Sequence, residues 1–233
     1  MTDRPPTSTR GPEIAFSWWA IGSLVVLFAA LGYIAHGWNT LGIDLSISAR
    51  VQSFDGQLAE PIAWFGNWLG ERSLAIVLLA MAWVGLALLK QRRDLWFVAL
   101  VATGRLIANP LKSWFDSPRP STAEVEIAKV YDGLGYPSGH AMTSAVVVGA
   151  AAIIVARRTQ GRVARWLLWG CWIVGMTMTA FARIWYGAHW FTDTLGGAIA
   201  GIAIVVVAAN LSETIVREAP DARPAPPRQT PGP

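Results

Sequence analysis

The segment FTDTLGGAIAGIAIVVVAANL, residues 191–211, decides the fold, because a single carboxylate interrupts a run of otherwise uncharged and mostly apolar residues. A helix that crosses a membrane needs about 20 predominantly apolar residues. Five further segments have a comparable composition: residues 17–35, 73–89, 94–111, 141–156 and 166–181. We therefore predict an all-α, polytopic membrane protein with six transmembrane helices.

The overall composition agrees with this class and excludes an ordinary soluble domain. Of the 233 residues, 53% are hydrophobic and only 15% are charged, which is too little charge to cover a soluble surface. Many of the 13 Trp residues lie near the ends of the six segments, as in an interfacial aromatic belt. The net charge of +4 is spread over short loops, so no nucleic-acid partner is expected. The single cysteine, Cys171, lies inside the fifth segment and has no second thiol to pair with.

The basic residues predict which side of the membrane each loop faces. With six spans, 12 of the 19 Lys and Arg residues fall in the two tails and in the loops at residues 90–93 and 157–165. Loops rich in Lys and Arg usually stay in the cytoplasm, so both termini are predicted to be cytoplasmic, in a multi-pass protein of the cell membrane. The three histidines, His36, His140 and His189, then lie on the extracytoplasmic side.

One membrane domain, residues 14–211, is predicted between two tails. Residues 1–13 are rich in Pro and Thr and predict a disordered tail, and residues 212–233 are rich in Pro and Arg and predict a flexible one. Between the first two spans, apolar residues recur at steps of three and four, but Gly56 and Pro61 interrupt the pattern. This predicts two short helices on the extracytoplasmic membrane surface.

Three segments next to the predicted spans place reactive side chains on that same side. They are LKSWFDSPRP (111–120), YPSGHAMTS (136–144) and ARIWYGAHWFTD (182–193). Lys112, Arg119 and Arg183 can neutralise a phosphate dianion and hold it through charge-assisted hydrogen bonds. Ser138 and Gly139 precede a predicted helix, whose first backbone N–H groups can bind anionic oxygens. Together these residues predict a phosphate-binding site.

Two histidines complete the predicted site. His189 and Asp193 are spaced i, i+4, so on a helix the carboxylate can hold the imidazole in one tautomer. This arrangement keeps His189 neutral and nucleophilic, while the second histidine, His140, can act as an acid. The residues therefore predict phosphoryl chemistry with three catalytic groups.

The three segments together resemble the signature of the type-2 phosphatidic acid phosphatase superfamily, which also includes the vanadium haloperoxidases. The family pattern is Lys, six residues, Arg-Pro; then Pro-Ser-Gly-His; then Ser-Arg, five residues, His, three residues, Asp. The matching positions are Lys112, Arg119, Pro120, Pro137 to His140, Arg183, His189 and Asp193. One position departs from the pattern, because Ala182 stands where Ser usually precedes the arginine. The missing hydroxyl removes one hydrogen bond, worth about 1 kcal/mol. The six-span layout also resembles the bacterial membrane members.

The resemblance implies a metal-independent double displacement without a cofactor. His189 would attack phosphorus, Asp193 would hold its other ring nitrogen, and His140 would protonate the leaving lipid oxygen. Water would then hydrolyse the phosphohistidine. The implied partner is a lipid substrate in the bilayer: polyprenyl pyrophosphate, phosphatidylglycerophosphate or phosphatidic acid. Nothing in the sequence points to a protein partner.

Two other functions stay open from the sequence. A phosphotransferase would pass the phosphoryl group to a lipid or sugar hydroxyl through the same residues. A phosphate transporter predicts charged or broken segments near the middle of the bilayer, whereas the six spans are predicted to be continuous. We expect Arg105, inside the third span, to pair with a carboxylate such as Asp116 rather than to extend the anion site. The acidic loop 121–136 is expected to cover the site.

Overall fold

The computed structural model describes residues 14–37, 41–129 and 131–218, and these residues form helices and loops without a strand. The helices are α1 (Trp18–Gly37), α2 (Gly42–Gln52), α3 (Ala59–Leu69), α4 (Arg72–Leu88), α5 (Arg92–Gly104), α6 (Ala108–Phe115), α7 (Gly139–Ala156), α8 (Arg162–Trp185) and α9 (Phe191–Glu218). A 3₁₀ turn, Arg105–Ile107, joins α5 to α6. The predicted all-α class is confirmed for this part of the chain. The predicted N-terminal tail, residues 1–13, lies outside it.

Four helices, α1, α7, α8 and α9, are long and apolar enough to cross a membrane. A fifth candidate is the pair α3 and α4, which is bent by 53° at the break between its two helices. Large apolar side chains on these helices are exposed in the isolated chain, including Trp19, Val26 and Trp166. Such surfaces are stable when they face lipid, as expected of a membrane protein.

The predicted third span, residues 94–111, is not one continuous helix. It is divided between α5, the 3₁₀ turn and α6, and this corrects the expectation of unbroken spans. The cause is visible in the sequence, because Pro110 lacks an N–H and its ring clashes with the carbonyl of Leu106 in a regular helix. Gly104 just before the turn further weakens the helix. The break occurs at Arg105, the basic residue of this segment.

The core of the bundle forms where α7 packs against α9. Gly197 and Gly201 make this possible, since a Cβ on Gly201 would lie 2.5 Å from the Cβ of Ala145 and one on Gly197 would collide with the Ser138 carbonyl. Nearer the C-terminal end of α7, Phe97, Ile153 and Val205 are fully buried between α5, α7 and α9. The close approach of α7 and α9 brings their N-terminal ends together.

Two helices follow α1, as predicted, but their packing adds information. The break between them lies at residues 53–58, and Pro61 falls in the first turn of α3, where its missing N–H is tolerated. The helix α3 packs along α8: Thr179 Oγ1 donates to the carbonyl of Gly66 at 2.8 Å. The first helix, α2, is anchored by Asp44, which accepts hydrogen bonds from Thr192 N (2.9 Å) and Thr192 Oγ1 (2.8 Å).

At the far end of the bundle, α9 continues through Glu218, beyond the predicted start of the flexible tail at Ser212. The extension is stabilised by Arg157, which donates to Ser212 Oγ at 3.1 Å and pairs with Glu213 at 3.0 Å. Phe16, before α1, exchanges two hydrogen bonds of 2.8 Å with the side chain of Asn210. The start of α1 and the end of α9 therefore lie at the same end of the bundle, and residues 219–233 lie outside the described part.

Candidate active site

The opposite end of the bundle gathers the side chains that the three sequence motifs predict. A cavity of about 900 Å³ lies there, between the helix ends. It is lined by Lys112 of α6, Arg119 of the following loop, Gly139 and His140 of α7, Arg183 of α8, and His189 before α9. Asp193 and Ser138 lie directly behind this layer, both fully buried. All the predicted site residues thus come together in one place.

His189 lies between two partners that fix its tautomer. Its Nδ1 is 3.1 Å from Asp193 Oδ2, and its Nε2 is 3.1 Å from a guanidinium nitrogen of Arg119. Because a guanidinium can only donate, Nε2 must accept, so the proton of the neutral ring resides on Nδ1 and is donated to Asp193. The lone pair of Nε2 is therefore directed at the cationic side of the cavity.

Burial keeps this imidazole neutral. His189 is 2% exposed, and desolvation is the main reason why its pKa lies well below the usual 6.5. The positive charges of Arg119, Arg183 and Lys112 lower the pKa further. A neutral ring that carries no proton on Nε2 is the form that a nucleophilic histidine requires.

Asp193 is held as tightly as the ring that it orients. Its Oδ2 also accepts the backbone N–H of Trp190 at 3.2 Å, while its Oδ1 has no hydrogen-bond partner among the described residues. The backbone of Gly135 packs against the carboxylate, since a Cβ there would lie 2.8 Å from Oδ2. Helix α9 therefore presents a carboxylate with little freedom to move away from His189.

The three predicted phosphate ligands are positioned by backbone carbonyls and by a side chain that the sequence did not indicate. Lys112 Nζ donates to the carbonyls of Leu134 (2.6 Å) and Gly135 (3.0 Å). Arg119 donates to the carbonyls of Gly133 (3.0 Å) and Ala188 (2.7 Å), so it ties the loop to the segment before His189.

The third ligand, Arg183, is 2% exposed and donates to Asn67 Oδ1 of α3 at 2.6 Å. Its Nε has no partner among the described atoms. Tyr131 lies over the guanidinium of Arg183, with 4.7 Å between the carbon centre and the ring centroid. Residues 131–135 of the predicted covering loop thus contact all three cations.

The turn before α7 differs in one detail from the expectation. Ser138 caps the helix, with its Oγ accepting from Ala141 N at 3.5 Å, but its backbone N–H donates to the carbonyl of Asp193 at 2.9 Å. That N–H is therefore committed to joining α7 to α9 and is unavailable to an anion. The N–H of Gly139, which begins the helix and lines the cavity, is the one that remains for this role.

Further polar residues that the sequence left unassigned adjoin the site. Glu71, which precedes α4, lies with its Oε2 at 3.6 Å from Nε2 of His140. The expected pairing of Arg105 with Asp116 is wrong. Instead, Arg105 Nε donates to Thr143 Oγ1 at 2.8 Å, and Nη2 donates to the carbonyl of Gly139 at 3.2 Å. The third histidine, His36, lies outside the cavity lining and donates from Nδ1 to the carbonyl of Phe115 at 2.7 Å.

An apolar groove extends the cavity away from the charged end. It runs between α4 and α5 and is lined by Ala75, Ile76, Leu79, Trp83, Val98 and Ala102. The cavity therefore joins a cationic pocket to a surface that prefers hydrocarbon.

These features define a class of protein: a polytopic membrane protein that holds a buried histidine–aspartate pair among three cationic side chains. The sequence model of the PAP2 superfamily matches residues 93–217, more than half of the chain. The chain belongs to the PAP2 superfamily, and the resemblance inferred from the three motifs is thereby confirmed.

One curated relative and one solved structure are similar to the chain over most of its length. It is 25% identical over 200 residues to phosphatidylglycerophosphatase B of Bacillus subtilis (strain 168), an alignment covering 84% of this chain and 96% of the relative. The crystal structure described as the first transmembrane PAP2-type phosphatidylglycerolphosphate phosphatase, from Bacillus subtilis, superposes with a TM-score of 0.71. That match has 23% identity and covers 84% of this chain and 98% of the other, so it establishes the shared fold.

Proposed function

We propose that this protein is a membrane lipid phosphatase that hydrolyses a lipid phosphate or pyrophosphate through a phosphohistidine at His189. The observation that carries the proposal is the geometry of that ring. Its Nδ1 is bound to buried Asp193, and its Nε2 lone pair faces a cavity lined by Lys112, Arg119 and Arg183.

The first step is binding of the terminal phosphate among the three cations and the Gly139 N–H. These groups supply charge and directed donors to the equatorial oxygens of the phosphoryl group. Arg119, which contacts Nε2 at 3.1 Å, turns from the ring to a phosphate oxygen as the substrate binds. The exchange brings the phosphorus within reach of the nitrogen lone pair.

In the chemical step, Nε2 of His189 forms a bond to phosphorus as the bond from phosphorus to the lipid oxygen breaks. His140 gives a proton to that leaving oxygen. The phosphorylated ring keeps its Nδ1 proton, and the Asp193 carboxylate stabilises the positive charge that develops on it. A water molecule, deprotonated by His140, then attacks phosphorus and restores the neutral imidazole. No metal ion takes part in this scheme.

A lipid substrate is supported by the groove between α4 and α5, which opens into the charged pocket. The relative from Bacillus subtilis makes phosphatidylglycerophosphate the first lipid to test. Polyprenyl pyrophosphate and phosphatidic acid present the same terminal phosphate on an apolar tail and are the next candidates.

For the membrane arrangement we propose six spans: α1, α4, the broken segment α5–α6, α7, α8 and α9. Both termini would be cytoplasmic and the site extracytoplasmic, because the tails and the loops at the far end carry most of the basic residues. The bonds between Phe16 and Asn210 support a common side for the two termini.

The test is phosphate release by purified protein from the three lipids, with EDTA present. We expect EDTA-resistant release that is lost in His189→Ala, and a parallel assay with an added lipid or sugar alcohol measures any phosphoryl transfer. Full activity in His189→Ala would overturn the mechanism, and loss of release in EDTA that added metal restores would overturn metal independence. Activity on water-soluble phosphate esters alone would overturn the lipid assignment.

A further inference from the structure

The cavity contains two arginines in addition to the three cationic residues that are proposed to bind a single phosphate. Arg72, at the start of α4, and Arg105, at the helix break, both line it. A phosphate monoester carries at most two negative charges, which Lys112, Arg119 and Arg183 already neutralise. Two more cations in the same cavity exceed what a single phosphate requires.

The surplus charge is not balanced by the residues that line the cavity; the carboxylates that adjoin it are Glu71, beside His140, and Asp193, behind His189. Among the described residues that line the cavity, none is an Asp or a Glu. Within the same part of the chain, no carboxylate lies within ion-pair distance of Arg105, whose contacts are the Thr143 hydroxyl and the Gly139 carbonyl. These contacts use Nε and Nη2, so donors on Nη1 remain for another partner.

Arg105 also lies within an apolar segment, where an ionised side chain is costly and generally serves a function. It is anchored rather than loose, because its two hydrogen bonds hold the guanidinium against the first turn of α7. The helix break places it there, since the 3₁₀ turn begins at this residue. An anchored, unneutralised guanidinium at a cavity wall has the properties of an anion ligand.

The position of the two arginines relative to His140 indicates which part of a substrate they meet. Arg105 donates to the carbonyl of Gly139, the residue before His140. Arg72 follows Glu71, whose carboxylate lies 3.6 Å from the His140 ring. Arg105 therefore adjoins the acid that protonates the leaving oxygen, and Arg72 lines the same cavity. Whatever is attached beyond that oxygen lies beside them.

We propose that Arg105 and Arg72 form a second anion subsite, which binds a phosphate of the leaving group and selects lipids that carry two phosphates. The inference rests on the proposed function. The shared chemistry is a second phosphate close to the cleaved bond, whether it is the inner phosphate of a pyrophosphate or the phosphodiester of phosphatidylglycerophosphate. Lipids with a single phosphate use only the first subsite.

The test compares two pairs of lipids that differ in the second phosphate. One pair is polyprenyl pyrophosphate and polyprenyl monophosphate, and the other is phosphatidylglycerophosphate and phosphatidic acid. For Arg105→Met we expect kcat/KM to fall about tenfold or more on the two-phosphate member of at least one pair, and by less than about threefold on the one-phosphate members. The pair that responds identifies the source of the second phosphate. Arg72 is exposed, so Arg72→Gln changes the same ratio by a smaller factor.

The matched control is Arg92→Met, an exposed arginine at the other end of α5, which leaves all four rates unchanged. An equal fall on one- and two-phosphate lipids in Arg105→Met would assign Arg105 a structural role and overturn the proposal. Unchanged ratios in both pairs would also overturn it.

A binding assay in a variant without activity tests this inference independently of the proposed function. His189→Ala removes the nucleophile, and its thermal stabilisation by inorganic pyrophosphate and by inorganic phosphate measures binding without turnover. We expect Arg105→Met in this background to weaken pyrophosphate binding more than phosphate binding. Equal weakening of both overturns the subsite, even if phosphatase activity is confirmed. A selective loss supports it, even if none of the lipids is hydrolysed.

Discussion

At the scale of single residues, His189 owes its properties to partners from three parts of the chain. Asp193 comes from the next helical turn, Arg119 from the loop after α6, and the burial from the surrounding helices. The aspartate fixes the proton on Nδ1, and in the proposed substrate complex a phosphate oxygen takes the place of the ring as the partner of the arginine. The ring is thus oriented and neutral before substrate binds.

Replacing Asp193 with asparagine tests the orientation of that ring. An amide at this position can donate to Nδ1, which favours the tautomer with the proton on Nε2 and removes the nucleophilic lone pair. We expect kcat to fall on the order of 10³-fold or more, while the fold is retained. Phosphate release from the preferred lipid measures the effect. The exposed Asp55→Asn is the matched control, and a fall of less than about tenfold in Asp193→Asn would contradict the proposed role.

The lowered pKa of His189 also predicts how stability depends on pH. The unfolded chain binds a proton on this histidine below about pH 6.5, whereas the folded protein does not until a much lower pH. The unfolded state therefore gains stability as the pH falls through this window, and the free energy of unfolding decreases by about 1.4 kcal/mol per pH unit from this group. Equilibrium unfolding in detergent at pH 7.5 and pH 5.5 measures it.

His189→Gln lacks this titration, so its stability is expected to decrease less than that of the wild type between the two pH values. His36→Gln is the matched control, because it removes an exposed histidine instead of the buried one. A wild-type slope identical to that of His189→Gln would show that folding does not lower the pKa of His189 and would contradict this prediction.

At the scale of elements, the packing of α7 against α9 positions the site. The link between Ser138 N and the Asp193 carbonyl is possible because α9 presents glycine to the turn before α7. Asp44 adds a second constraint, since it binds Thr192 at the start of α9. Burial raises the pKa of Asp44, and the two hydrogen bonds from Thr192 act in the opposite direction.

Gly201→Ala and Gly197→Ala test this packing. Alanine in a helix is favoured over glycine by about 1 kcal/mol, but here the new methyl group would lie 2.5 Å from the Cβ of Ala145 or against the Ser138 carbonyl. We expect both variants to have a lower melting temperature. Gly197→Ala should also lose activity, because it displaces the turn that carries His140.

Gly85→Ala and Gly170→Ala are the matched controls, because a Cβ at either position has nothing within 4 Å. These two variants are expected to be as stable as the wild type or slightly more so. Similar melting temperatures for all four variants would refute the role assigned to the glycines of α9.

From the sequence, most helices could be predicted but the helix break at Arg105 could not. Likewise, the residues of the candidate site could be predicted, but the polar residues that contact them from other segments could not. The motif residues could be found because short local patterns carry them. Asn67, Glu71 and Asp44 could not, since each contacts the site from a distant segment and looks like any polar residue near a helix end. Gly104 and Pro110 are local signs of the break at Arg105. The prediction of a continuous span over residues 94–111 followed the apolar composition of the segment instead. The absent Arg105–Asp116 pair could not be foreseen because the break redirects the arginine to α7.

At the scale of the whole molecule, the two ends of the bundle carry different charge arrangements. At the far end, Arg157 is buried and its charge is matched by Asp94 at 2.8 Å and Glu213 at 3.0 Å. At the site, the cations lining the cavity have no carboxylate among the described lining residues. A matched cluster stabilises the fold, whereas an unmatched one attracts an anion, so the charge difference supports the proposal that substrate binds at the end that carries the cavity.

The proposed membrane orientation is the last prediction, and it concerns these two ends. Ser121 lies in the loop at the site, and Gln160 lies in the loop between α7 and α8 at the far end; both are exposed. After Cys171→Ala removes the native thiol, Ser121→Cys and Gln160→Cys provide single labelling positions. In intact spheroplasts, a membrane-impermeant maleimide should label the Ser121→Cys protein at once and the Gln160→Cys protein only after permeabilisation.

We expect this result because loops rich in basic residues, such as those at the far end, are usually retained in the cytoplasm. Labelling in the reverse order would place the site in the cytoplasm, and labelling of both positions without permeabilisation would contradict an arrangement in which the two loops lie on opposite sides.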